Sequence, residues 1–224
     1  VAFFISICLN RVVKSYCLGH SLCIEALNKR PELIQEVYLS SNAKEESLKE
    51  LISLCDKNNI SYKVDDKAIH RLSIKENCYA IASFEIKKYP LQGNRHIILK
   101  DLKDEGELGT CLRSGVSFGL FDFVVINCAD INSSKCVRAS MGAYFHCNIE
   151  SYNSLAEYKK SYPEFNIYSF CNKGKELNET ELKKPFSVLF NEDGNNPFYL
   201  KHNENNELPF PMASSLIFYN ISLR

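Results

Sequence analysis

Strand-type and helix-type apolar runs alternate along almost the whole chain, and this alternation constrains the fold more than any other feature. Leu18–Lys29 reads as a helix that ends at Pro31, Ile34–Leu39 as a strand, and Lys44–Lys57 as a second helix with Leu48, Leu51, Ile52 and Leu54 at helical spacing. Ile60–Val64, Asp66–Leu72 and Tyr79–Ile86 continue as strand, helix and strand. The polar stretch Lys87–Arg95, with Pro90 and Gly93, then reads as a linker. The pattern restarts with strand Ile97–Leu99, helix Leu108–Phe118, buried strand Phe123–Ile126, helix Ser154–Tyr162, and strands Phe165–Phe170 and Phe186–Phe190. Strand–helix–strand order predicts a mostly parallel sheet with helices on its faces. The expectation is an α/β protein with an extension over residues 1–15, a small α/β domain over 16–90 and a parallel-sheet domain over 96–224, joined near Pro90.

Charge and cysteine content narrow the partners. Lys+Arg and Asp+Glu are equal at 27 each, so nucleic-acid binding needs a local basic patch and cannot rest on bulk charge. The ten cysteines include no CxxC pair and no Cys/His cluster with metal spacing, so no metal is expected. Most lie in apolar segments and read as reduced, small hydrophobes. The apolar run Val1–Leu9 is too short to span a membrane, and positive charge follows it at Arg11 and Lys14, where a signal peptide would have it in front. A cytoplasmic protein is expected, with no membrane partner.

Three segments of the second half carry a more specific signal. The first is Asp104-Glu-Gly-Glu-Leu-Gly-Thr-Cys-Leu-Arg-Ser-Gly-Val-Ser-Phe-Gly119, the second Val137-Arg-Ala-Ser-Met-Gly-Ala-Tyr-Phe-His146. The third begins Val188-Leu-Phe-Asn-Glu-Asp-Gly-Asn-Asn-Pro197, continues at Phe210-Pro-Met212 and ends at Tyr219-Asn-Ile-Ser222. Together, in this order, they resemble the motifs of the SpoU (TrmH) family of RNA ribose 2′-O-methyltransferases, in the SPOUT class. Asp104, Gly109, Arg113, Phe118 and Gly119 fall on the family's first motif, whose Pro and Asn are Glu105 and Glu107 here. The second motif matches almost throughout. In the third, Gly194 is retained, Asn191 stands for Gly and Asp193 for Glu. Tyr16–Pro31 and Asn58–Asp66 are similar to the small RNA-binding domain that precedes the catalytic domain in many members.

The resemblance implies a C-terminal domain with a deep trefoil knot, S-adenosylmethionine as cofactor, rRNA or tRNA as substrate, and a homodimer whose site is completed across the interface. By the same resemblance Arg113, Glu107 and Asn220 fall on catalytic positions. Asn191, Gly194, Phe210, Met212 and Tyr219 fall on cofactor-binding positions, and Arg113, Arg138 and Ser140 on RNA-binding ones. The chemistry suits these types: the cofactor supplies an activated methyl, and the protein must orient a ribose hydroxyl and stabilise its developing charge. An arginine, protonated with a pKa above ~12, does this as an orienting and charge-stabilising group and not as a base. The plainer readings stay open. Arg113 and Arg138 suit solvated surface arginines, Gly142 and His146 packing positions, Phe210 and Met212 core, and Asn220 a surface residue. Asn191 tolerates the positive φ that the replaced glycine would supply. Glu107 puts negative charge where phosphate and oxyanion would sit, which favours the alternative of a catalytically impaired relative that only binds RNA.

Overall fold

The computed structural model describes residues 13–73, 77–191, 196–201 and 208–224. Two sheets form, one in each half of the chain. The first has four strands, β1 (Lys14–Leu18), β2 (Ile34–Leu39), β3 (Ser61–Val64) and β4 (Ala80–Glu85), in the order β1-β4-β2-β3. β4 runs antiparallel to β1 and β2, while β3 is parallel to β2. Helices α1 (His20–Lys29), α2 (Glu45–Lys57) and α3 (Asp66–Leu72) connect them. β1 corrects the expected extension: Lys14 and Ser15 already pair with Glu85 and Phe84.

The second sheet has six strands in the order β10-β8-β9-β5-β6-β7, and every pairing is parallel. Its strands are β5 (Arg95–Lys100), β6 (Asp122–Ile126), β7 (Asn148–Tyr152), β8 (Asn166–Glu176), β9 (Phe186–Phe190) and β10 (Pro197–Tyr199). β6 and β9 are buried along their whole length, as expected of strands covered on both faces. Alternate residues serve opposite layers. Ile97, Leu99, Phe123, Val125, Val188 and Phe190 pack beneath α4 (Glu105–Ser117) and α7 (Phe210–Ser222). Ile98, Val124, Ile126 and Leu189 pack against α6 (Leu155–Ser161). The chain starts this sheet at β5, winds outward to β7, and returns to the other side of β5 with β9. The crevice between β5 and β9 is the switch point at which open α/β sheets place ligands.

Five elements escaped the sequence pattern: β1, α7 and three shorter ones. α5 (Ser134–Ala139) is a single capped turn and a half, β7 is a half-polar edge strand, and β10 has three residues. The stretch expected as a linker has no regular structure up to β5, which Arg95 already opens, but it is pinned. Gln92 and Gly93 each donate a backbone N–H to Asp122 at 2.9 Å, Tyr89 donates its hydroxyl to Glu32 at 3.0 Å, and the Arg30 guanidinium lies 4.0 Å over the Tyr89 ring. All nine described cysteines are free thiols, seven of them buried. Burial pushes the Cys111 and Cys136 thiols up to about 12, which makes them inert fillers.

Candidate active site

α4 organises the site, and its start is set locally. Asp104 caps it, accepting from the backbone N–H groups of Gly106 (2.7 Å) and Glu107 (3.0 Å). The Glu107 N–H, then the Lys135 ammonium at 3.2 Å, then the Gly106 N–H hold the Asp104 carboxyl below its ordinary range. Glu107 occupies the third helical position, where an acid complements both the cap and the helix dipole. Its charge therefore has a local stabilising role. One turn on, Gly109 faces α5 so closely that a β-carbon there would lie 2.4 Å from the Cys136 carbonyl and 2.6 Å from the Ala139 methyl. Arg113, a further turn along, is exposed, and no described residue gives its guanidinium a hydrogen bond or ion pair.

The second motif forms a continuous hydrogen-bonded turn. Ser140 closes α5, its hydroxyl donating to the Val137 carbonyl at 2.7 Å and accepting from the Tyr144 N–H at 3.3 Å. It is fully buried, and its hydroxyl is engaged in the turn. Arg138 is exposed, and no described residue pairs with it. Gly142 adopts φ 92°, and a side chain there would strike Glu25 of α1. His146 ends the turn with Nε2 2.6 Å from Glu25. Gly142 and His146 thus resolve to the packing side of their two readings.

In the third motif, Asn191 leaves β9 at φ 64°, the left-handed conformation that its replacement of glycine requires. Gly194 lies outside the described residues. Phe210 and Met212, expected apart from Tyr219 and Asn220 as a separate segment, instead share α7 with them. Pro211 suits the first turn of that helix, and Ala213, Ile217, Phe218 and Ile221 turn inward. Phe210 reaches the Phe190 ring at 5.5 Å and so adjoins Asn191, whereas Tyr219 lies nine residues along α7, about 13 Å by helical rise. Met212 is 60% exposed and does not serve the core. Tyr219 and Asn220 edge a cavity of about 180 Å³ with Glu176, Asn178, Leu200 and Lys201, and Asn220 donates to Asn178 at 3.1 Å. An anion, a cation, amides and an apolar wall suit a zwitterionic sulfonium ligand with an aromatic base.

The motif segments converge on α4. Gly109 meets α5, Ser114 bonds Ser215 of α7 at 2.8 Å, and Phe118 packs edge-on against Tyr219 at 5.7 Å. Two strand-end residues went unnoticed in the sequence. Asp101 (φ 58°) and Asn127 (φ 51°) end β5 and β6 beside Asn191, and they hydrogen-bond to each other through the Asn127 amide. With Lys100, Tyr152 and Asn153 they line a groove of about 530 Å³ over the carboxyl ends of β5–β7. Asp or Asn directly after a buried strand was the available signal.

Known proteins share this architecture. The AdoMet-bound rRNA methyltransferase of Sinorhizobium meliloti superposes with a TM-score of 0.76 at 17% identity, over 92% of this chain and 86% of its own. The SpoU methyltransferase AviRb of Streptomyces viridochromogenes gives 0.77 at 14% identity, over 94% and 89%. A putative TrmH-family RNA methyltransferase of Porphyromonas gingivalis gives 0.74 at 17%, over 92% and 88%. At these identities the likeness is one of fold. No curated protein matches in sequence. Residues 16–77 match the model of the RNA 2′-O ribose methyltransferase substrate-binding domain. Residues 94–222, more than half of the chain, match the model of the SpoU rRNA methylase family, and the chain belongs to that family.

Proposed function

We propose that this chain, an RNA methyltransferase by its family, transfers the methyl group of S-adenosylmethionine to a ribose 2′-hydroxyl of rRNA or tRNA. The observation that carries the reading is the convergence of all three motif segments on α4, which presents an exposed Arg113 with no partner among the described residues. The cofactor supplies a methyl activated by its sulfonium. Asn191, Phe210 and Met212 at one end of α7, and Tyr219 at the other, would hold it. Arg113 orients the ribose and stabilises the oxyanion, Asn220 supports that hydroxyl, and Arg138 grips phosphate. Residues 16–90 act as the RNA-binding domain and 96–224 as the catalytic domain. The reading also carries a trefoil knot in the C-terminal domain and a cytoplasmic location, where rRNA and tRNA are found. A homodimer belongs to it as well, supported by the exposed stripe Met212, Leu216, Tyr219 and Leu223 on one face of α7. Among the described residues no helix is long and apolar enough to cross a membrane.

Two observations weigh against the impaired RNA-binding alternative. Glu107 lies in the first turn of α4, where its charge complements the helix dipole, and Asn191 adopts a positive φ like the glycine it replaces. The test is calorimetric titration with S-adenosylmethionine, followed by radiolabelled methyl transfer to total RNA from a strain lacking the gene. Cofactor binding with methylated RNA is expected; absence of both would leave an RNA binder.

A further inference from the structure

We infer that Glu25, in the N-terminal half, is a positioning residue for the methyl-transfer site, acting through the turn 140–146; this rests on the function proposed above. The two halves meet across a shared apolar core, in which the Phe84 ring of β4 packs against Tyr144 at 5.6 Å and Phe145 at 5.2 Å. Apolar contact is non-directional and does not by itself fix one orientation. Among the described residues the directional bonds across this seam are few. Glu25 Oε1 lies 2.6 Å from His146 Nε2, Arg30 Nε donates to the Phe145 carbonyl at 3.2 Å, and the Ser15 hydroxyl donates to the Asn132 carbonyl. Glu25 is the one that also meets a glycine. Its Cβ and Cγ fill the space a β-carbon on Gly142 would take, at 2.9 and 2.5 Å.

From there the contacts run unbroken to Arg113. The turn is stitched by Ala143 N–H to Ser140, Phe145 N–H to Gly142 and Cys147 N–H to Tyr144, and it is rooted in α5 by the Ser140 hydroxyl. α5 in turn touches Gly109, one helical turn before Arg113. An RNA held by the N-terminal half is thereby presented to Arg113 at a fixed distance. A small misplacement of reacting groups costs catalysis far more than it costs binding.

The test uses the full chain and two variants, Glu25→Ala and Glu25→Gln. The first readout, hydrogen exchange at the amides of Ala143, Phe145 and Cys147, needs no activity. Glu25→Ala should lower protection there about tenfold, the scale of one charge-assisted hydrogen bond. Glu25→Gln, whose amide oxygen still accepts from His146, should restore it. The second readout is kcat per bound S-adenosylmethionine on RNA, expected to fall about tenfold in Glu25→Ala with KM for RNA unchanged. Unchanged protection in Glu25→Ala, or failure of Gln to rescue, would overturn the assignment. A wild type without methyl transfer would sink the proposed function and leave the exchange readout to decide the tie.

Discussion

The Gly109 backbone of α4 rests directly against Ala139 of α5, with no room between them for a methyl group. Two of the three hypothetical contacts of a β-carbon there are to backbone atoms, the Cys136 carbonyl at 2.4 Å and the Ser140 amide at 2.8 Å, which cannot rotate aside. Gly109→Ala should therefore separate α4 from α5 at a cost of about 1–3 kcal/mol, the usual price of overpacking. Differential scanning calorimetry reads this as a lower melting temperature. An unchanged midpoint would mean that the helices are not held this close.

Arg113 invites the opposite experiment, in which function changes and stability does not. Its side chain is exposed and has no partner among the described residues, so Arg113→Ala should alter stability by no more than about 0.5 kcal/mol. Methyl transfer should fall roughly 10²–10³-fold, the loss expected for one donor to a developing oxyanion. Arg113→Lys should not recover it, because the planar fork is gone. Cofactor affinity by calorimetry should stay near wild type. Activity that survives in Arg113→Ala would remove this residue from its central place.

How much of this was legible beforehand depends on the kind of signal each residue carries. The buried parallel strands were legible because Phe123–Ile126 and Phe186–Phe190 are continuous apolar runs with one reading. α7 was not, because its inward residues Ala213, Ile217, Phe218 and Ile221 share the segment with outward Met212, Leu216 and Tyr219, so no clean amphipathic stripe appears. The Asn191 backbone was legible from residue type alone. The fates of Ser140 and His146 were not, since a polar residue in a motif reads the same whether it meets a ligand or closes a turn. Folding sets their partners, which are Val137 and Tyr144 for Ser140 and Glu25 for His146.

The Asp104 cap should make α4 acid-sensitive. Its folded-state pKa is depressed below the ordinary aspartate value, so its stabilisation is fully present above about pH 4 and is lost as pH falls through the folded value. Asp66 and Asp101 shift in the same direction, so they share the effect. Asp104→Asn keeps a capping oxygen but cannot titrate. Melting temperature followed from neutral pH down to acid should fall less steeply for Asp104→Asn than for wild type. Parallel curves would show that the cap does not govern acid stability.

Behind the sheet, Tyr158 is fully buried and its hydroxyl bridges His96 Nδ1 at 2.9 Å and Ser187 at 2.6 Å. Tyr158→Phe keeps the ring and its packing but takes a partner from two buried groups. The expected loss is about 1–3 kcal/mol. For a chain of this size that is a fall of roughly 2–4 °C for each kcal/mol. Neutral behaviour would imply that His96 and Ser187 find each other directly.

The last expectation concerns the outer face of α7. Met212, Leu216, Tyr219 and Leu223 recur at positions i, i+4, i+7 and i+11 and are 50–69% exposed, although this helix has an inward face of its own. A contiguous apolar stripe left in water is costly, and a second copy of the chain covers it most simply, because the same helix then meets itself across a two-fold axis. Leu216→Lys puts a charge at the middle of the stripe, opposite its own copy, without touching the inward residues Ile217 and Phe218. Analytical ultracentrifugation should find the wild type dimeric and Leu216→Lys monomeric, with the far-ultraviolet circular dichroism of the two alike. If the proposed site is completed across the interface, methyl transfer should disappear with the dimer and return in part at high protein concentration. A wild type that sediments as a monomer, or a Leu216→Lys variant that stays dimeric, would mean that α7 does not form the interface.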